Sequence, residues 1–143
     1  MAATEDLYKG VSVLVVEDEQ TTRASIKSIL RQIGVPTITD ASDGRAGLAE
    51  LARTRPTLVL CDVHMQPVDG RQFLKMVRTA KVEWIKNIPI IFLTADANPD
   101  TVTFAKEFAV NGYLVKPVSV NDVKSRVDAV LKTLDRSAGA RGL

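Results

Sequence analysis

The sequence predicts an α/β fold in which one five-stranded parallel sheet lies between two layers of helices. Two observations predict it. Short apolar runs at residues 11–16, 36–39, 58–62, 88–93 and 113–115 alternate with segments whose apolar residues recur at helical spacing. The strongest of these runs are apolar at consecutive positions, as strands buried on both faces are. Strict alternation of strand and helix then implies right-handed crossovers that cover both faces of the sheet.

Each element has its own signal. Val13, Leu14, Val15 and Val16 make a central strand, followed at once by Glu17, Asp18 and Glu19. Ile26, Ile29, Leu30 and Ile33 form one stripe of an amphipathic helix that Gly34 closes. Residues 36–39 read as a short second strand. Ser42 and Asp43 offer N-caps to a helix carrying Ala46, Leu48, Leu51 and Ala52, and Pro56 stops it near Arg55. The third strand, Leu58 onward, carries Asp62 to its end. Asp69 and Gly70 open a helix with Phe73, Leu74 and Val77 on its inner face, fading near Lys81, with Trp84 packing in the loop beyond. The fourth strand has Pro89 near its start, where a missing donor is tolerated, and ends at Thr94. Asn98 before Pro99 caps a helix running to about Val110 and closed by Asn111 and Gly112. Tyr113, Leu114 and Val115 are the fifth strand. Ser119 and Asp122 form a capping-box-like start to the last helix, whose stripe runs from Val120 to Leu134.

Composition excludes several classes. A chain of 143 residues with 45% hydrophobic and 25% charged content fits one globular domain, here 11–134, with a polar lead-in at 1–10 and a short frayed tail at 135–143. Net charge is +2, from 19 basic and 17 acidic residues, too little for a nucleic-acid footprint. The single cysteine, Cys61, excludes an internal disulfide framework; it faces away from Asp62 and reads as core. No apolar run approaches the roughly 20 residues that span a bilayer, and the N-terminus lacks the apolar centre of a signal peptide. The expectation is a soluble, cytoplasmic protein.

Functional groups of a doubly wound sheet collect beyond the carboxyl ends of its strands, where strand order reverses. In the flavodoxin-like order 2-1-3-4-5 the first and third strands are neighbours there, so Glu17, Asp18 and Asp62 converge. Three close carboxylates raise one another's pKa unless a cation compensates them. An oxygen-only set with no Cys/His cluster suits Mg²⁺ or Mn²⁺. Lys116 brings a cation and Thr94 a hydroxyl from the opposite side, so a metal end faces a phosphate end, which suggests phosphoryl chemistry.

An acidic pair, a strand-end Asp, a Thr-Ala and a Lys-Pro, in that order and at those strand ends, resemble the receiver domain of bacterial two-component response regulators over about residues 11–134. The resemblance implies that Asp62 accepts a phosphoryl group from a phosphohistidine of a sensor histidine kinase or phosphotransfer protein. It implies that Asp18, Asp62 and the main-chain carbonyl of His64 hold Mg²⁺, with Glu17 acting largely through water. Thr94 and Lys116 would bind the phosphoryl oxygens, Tyr113 would be the switch aromatic, and the Lys116–Pro117 bond would be cis. At rest Lys116 should pair with Asp62. Downstream proteins would dock on the face from Asn98 to Leu134, and a stand-alone, single-domain type is expected.

Two features depart from the family pattern. Gln66 stands where the family usually has proline, with Pro67 following, so a slightly different turn is expected. His64 and Asp96 occupy positions that in the family border the path of the hydrolytic water. A hydrolase resembling haloacid-dehalogenase phosphatases is the alternative, although that family wants an Asp where His64 stands. A receiver-fold scaffold working unphosphorylated is a third reading, which the intact acidic and lysine set opposes.

Overall fold

The computed structural model describes residues 7–95 and 98–142, with side chains to residue 134. In chain order the elements are β1 (Ser12–Val16), α1 (Gln20–Ile33), β2 (Thr37–Ala41), α2 (Gly44–Thr54), β3 (Leu58–Asp62), α3 (Gly70–Arg78), α4 (Glu83–Lys86), β4 (Ile90–Thr94), α5 (Pro99–Glu107), β5 (Gly112–Val115) and α6 (Val120–Gly142). The strands are parallel in the order β2-β1-β3-β4-β5, the expected doubly wound arrangement.

Period-two alternation splits the core into two layers. Val13, Val15, Leu58, Leu60, Ile91 and Leu93 face Ile26 and Leu30 of α1 and Val123 and Val127 of α6. Leu14, Val16, Val59, Cys61, Ile90 and Phe92 face Leu51 of α2, Phe73, Leu74 and Val77 of α3 and Ala105 of α5. β3 and β4 are buried at every position, which is why their sequences show no alternation.

The caps are local and explain the boundaries. Gly34 ends α1 at φ 103°, a left-handed conformation that costs glycine little. Asp43 accepts from the Ala46 amide, and Asn98 from the Asp100 amide ahead of Pro99. Asp69 and Gln72 form a reciprocal capping box on α3. At α6 the Asp122 amide donates to Ser119 Oγ at 3.0 Å.

One additional helix and three helix ends differ from expectation. Among the described residues there is one more helix than expected after β3, because residues 83–86 close a short turn on which Trp84 lies under the Arg55 guanidinium, 4.7 Å from the ring centre. α3 stops at Arg78 rather than near Lys81, and α5 at Glu107 rather than Val110. Both are explained by Arg78, which donates to the carbonyls of Lys86, Ile88, Phe108 and Ala109 and to Asn111 Oδ1 at 2.7–3.1 Å. Ala109 takes φ 56° to close α5, and Asn111, expected to end that helix, instead caps β4 by accepting from the Ile90 amide at 2.9 Å. α6 continues past Leu134 to Gly142, since Ala138 and Ala140 favour helix and no proline interrupts the segment. The lead-in is not uniformly polar in role: Tyr8 is 4% exposed in the core and its hydroxyl donates to the Asp128 carboxylate. Among the described residues no helix is long and apolar enough to cross a membrane.

Candidate functional site

β1 and β3 lie side by side where the strand order reverses, with Val16 opposite Cys61. One residue further along, Glu17 leaves β1 beside Asp62, the last residue of β3. Thr94 ends β4, Val115 pairs with it across β5, and the Lys116 amide donates to the Thr94 carbonyl at 2.7 Å. The sheet therefore brings Glu17, Asp18, Asp62, Thr94 and Lys116 to one edge. Oxygens of the three carboxylates lie within 4.8 Å of one another. Glu17, Asp62 and Thr94 are buried, whereas Asp18 is exposed and opens the cluster to solvent.

Lys116 Nζ makes the expected contact with Asp62 Oδ1, at 3.1 Å, but its shorter contact, 2.6 Å, is to Glu17 Oε1. The Glu19 amide donates to the other Glu17 oxygen at 3.2 Å. Burial pushes the Glu17 carboxyl from its ordinary 4.5 up to about 7; the Lys116 hydrogen bond and the Glu19 amide oppose the rise, and the Asp62 charge adds to it. Burial would lower Lys116, but its bonds to Glu17 and Asp62 outweigh this and raise it. One ammonium thus bridges two of the three carboxylates. The donor set is hard and oxygen-only with an open side at Asp18, which fits Mg²⁺ or Mn²⁺.

The raised Glu17 value has a consequence for stability. Between pH 4.5 and about 7 the folded state holds a proton that the unfolded chain releases, so stability is greatest below this window and is lost as pH rises through it. Without divalent cations, the urea midpoint of the wild type measured against Glu17→Gln should fall between pH 4.5 and 7. A difference that stays flat or climbs would refute the assignment.

The loop after β3 is held from three sides. The Val63 amide donates to the Leu93 carbonyl at 3.0 Å, and the Gly70 amide donates to the Val63 carbonyl at 2.8 Å. The Gly44 amide, at the start of α2, donates to the Val68 carbonyl at 3.2 Å, and a Cβ on Gly44 would meet that oxygen at 2.5 Å. Val63 and Met65 point into the core while His64, between them, is exposed. Both Gln66–Pro67 and Lys116–Pro117 are cis, the second as expected. Tyr113 packs edge-on against Phe92 with ring centres 5.9 Å apart, and its hydroxyl donates to the Thr101 carbonyl at 3.1 Å. Asp96 lies outside the described residues. Sequence reasoning missed Gly44, Gly70 as a close-approach residue, and Arg23, whose Nη1 donates to the Glu17 carbonyl at 2.7 Å; the first two carry only the signal of glycine at a helix start.

Comparison with known proteins points to one family. A family model described as the response regulator receiver domain matches residues 13–128. Chemotaxis protein CheY-3 of Vibrio cholerae is 31% identical over 128 residues, 90% of this chain and 97% of that protein. The solved structure of Vibrio cholerae chemotaxis protein CheY4 superposes with a TM-score of 0.72 at 31% identity, covering 88% of this chain and 97% of that one. The receiver domain of a sensor histidine kinase from Pseudomonas aeruginosa, with magnesium in its active-site cleft, gives 0.77 at 25% identity, covering 86% and 98%.

Proposed function

The chain belongs to the response regulator receiver domain family, and from that premise we propose that Asp62 is its phosphoacceptor, charged by a phosphohistidine of a histidine kinase or phosphotransfer partner. The observation that carries the reading is the Lys116 ammonium set between Glu17 and Asp62 at the strand-end edge.

In the proposed step an Asp62 carboxylate oxygen attacks phosphorus in line. The new O–P bond forms as the N–P bond to the donor imidazole breaks, and the electron pair leaves with the imidazole. Lys116, released from Asp62, moves to a phosphoryl oxygen, and the Thr94 hydroxyl donates to another. Asp18, Asp62 and the His64 carbonyl, with Glu17 through water, would hold Mg²⁺ or Mn²⁺, which supplies positive charge against the developing phosphoryl charge. The Pseudomonas receiver with magnesium in its cleft supports that choice of ion. Tyr113 then leaves the Thr101 carbonyl and packs inward, changing the face from Asn98 to Leu134 that a downstream protein contacts. The protein catalyses only its own phosphorylation and dephosphorylation, in a cytoplasmic setting that the free Cys61 thiol fits.

Incubation with acetyl phosphate and Mg²⁺ should add a single phosphoryl group by intact mass, removable by hydroxylamine and blocked by EDTA. Sustained multiple turnover of small phosphate esters would instead make the protein a hydrolase.

A further inference from the structure

Arg23 lies on the first turns of α1, outside the strand-end cluster, yet its contacts lead into it. Its Nη1 donates to the main-chain carbonyl of Glu17 at 2.7 Å, and its Nε reaches Asp40 Oδ2 on β2 at 3.2 Å. Lys27 holds the same Asp40 oxygen at 3.1 Å. The Arg23 side chain is 18% exposed and Asp40 37%, so the guanidinium is partly shielded while its carboxylate partner stays open to water. The Glu17 amide in turn donates to the Ala41 carbonyl at 3.0 Å. Both peptide units of Glu17 are therefore anchored to β2, one through the sheet and one through the Arg23–Asp40 pair.

The carbonyl that Arg23 grips belongs to the peptide joining Glu17 to Asp18. Fixing that plane fixes where the Asp18 nitrogen and Cα sit and so limits the directions its side chain can take. Asp18 itself is exposed. We infer that Arg23 is a positioning residue that, oriented by Asp40, presents the Glu17–Asp18 pair for divalent cation binding. The inference rests on the phosphoacceptor reading of the site.

A competing account has the opposite sign. As a bare positive charge near three carboxylates, Arg23 would repel a divalent cation, so its removal would tighten binding. As a positioning group its removal loosens the loop and weakens binding, by about tenfold or more for a supporting contact of this kind. The two are separable with Mn²⁺, followed by the electron paramagnetic resonance signal of the free ion, on variants whose folding is checked by circular dichroism and urea midpoints.

Arg23→Ala should bind Mn²⁺ about tenfold more weakly than the wild type. Asp40→Asn, which keeps the guanidinium but removes its orienting partner, should weaken binding severalfold and serves if Arg23→Ala does not fold. Lys27→Ala, which removes a charge from the same carboxylate without touching Glu17, should leave affinity unchanged. Equal or tighter binding by Arg23→Ala, with only its urea midpoint lowered, overturns the inference alone. Failure of the wild type to bind Mn²⁺ overturns the phosphoacceptor reading and the inference with it.

Discussion

Asp62→Asn should take up no phosphoryl group from acetyl phosphate and Mg²⁺, and at pH 8 without divalent cations it should melt above the wild type. The first result follows because an amide oxygen is neutral and cannot form the acyl phosphate. The second follows from charge. In the metal-free site Asp62 faces two carboxylates within 4.8 Å and one ammonium at 3.1 Å. At an effective dielectric near 20 each such pair is worth a few kcal/mol, so the one attraction offsets only part of the two repulsions, and the surplus is small because Asp18 is exposed and screened. Lys116 keeps its shorter bond to Glu17 in the variant. A net gain on the order of 1 kcal/mol, a rise of a few degrees in Tm, is expected by differential scanning calorimetry. Saturating Mg²⁺ should reverse the order, because only the wild type retains its full ligand set and gains the binding free energy. Phosphate on the Asn variant would remove Asp62 from its role. A lower Tm without metal would mean that the Lys116 contact dominates the local field.

The parts of this molecule that sequence made legible are those fixed by local chemistry. Val13 to Val16, Leu58 to Cys61 and Ile90 to Leu93 are apolar at every position because helices cover both faces, so their strands and their layer needed no tertiary knowledge. Asp43, Asp69, Asn98 and Gly34 announced helix ends through their own backbone contacts. Glu17, Asp18, Asp62, Thr94 and Lys116 were legible because each ends a strand or comes within two residues after one. What was hidden depends on distant partners. Arg78 looks like one more polar residue at a helix end, yet it collects acceptors up to 33 positions away and sets two helix boundaries. Tyr8 looks like part of a polar lead-in until α6 supplies Asp128. That Lys116 sits closer to Glu17 than to Asp62 depends on the positions of three strand ends in space, which no spacing along the chain encodes.

Gly70→Ala should be the most disruptive single methyl group in the domain, and it sets local propensity against packing. In the first turn of α3 alanine is the better helix former by about 1 kcal/mol, so propensity alone predicts a more stable protein. Packing predicts the opposite. A Cβ on Gly70 would fall on the Asp62 carbonyl oxygen and lie 2.7 Å from Val63 Cα. Both obstacles are backbone, and both are held: the Val63 amide is bonded to Leu93 and the Val63 carbonyl accepts from Gly70 itself. Relief requires α3 to move off the end of β3, breaking that bond, or Asp62 to move out of register with its neighbours. Either cost exceeds the helix gain, and destabilisation of about 3 kcal/mol is expected from urea unfolding. The displacement is centred on Asp62, the proposed acceptor, so the fraction that still folds should also bind Mn²⁺ more than about tenfold more weakly. Gly47→Ala is the matched comparison. The nearest atoms to its Cβ would be side-chain atoms of Val16 and Phe73, at 3.0–3.1 Å, and these give more readily than backbone. It should cost less stability and leave Mn²⁺ affinity unchanged. Equal losses of affinity in the two variants would mean that the close approach of α3 to β3 supports the fold but does not set the geometry at Asp62.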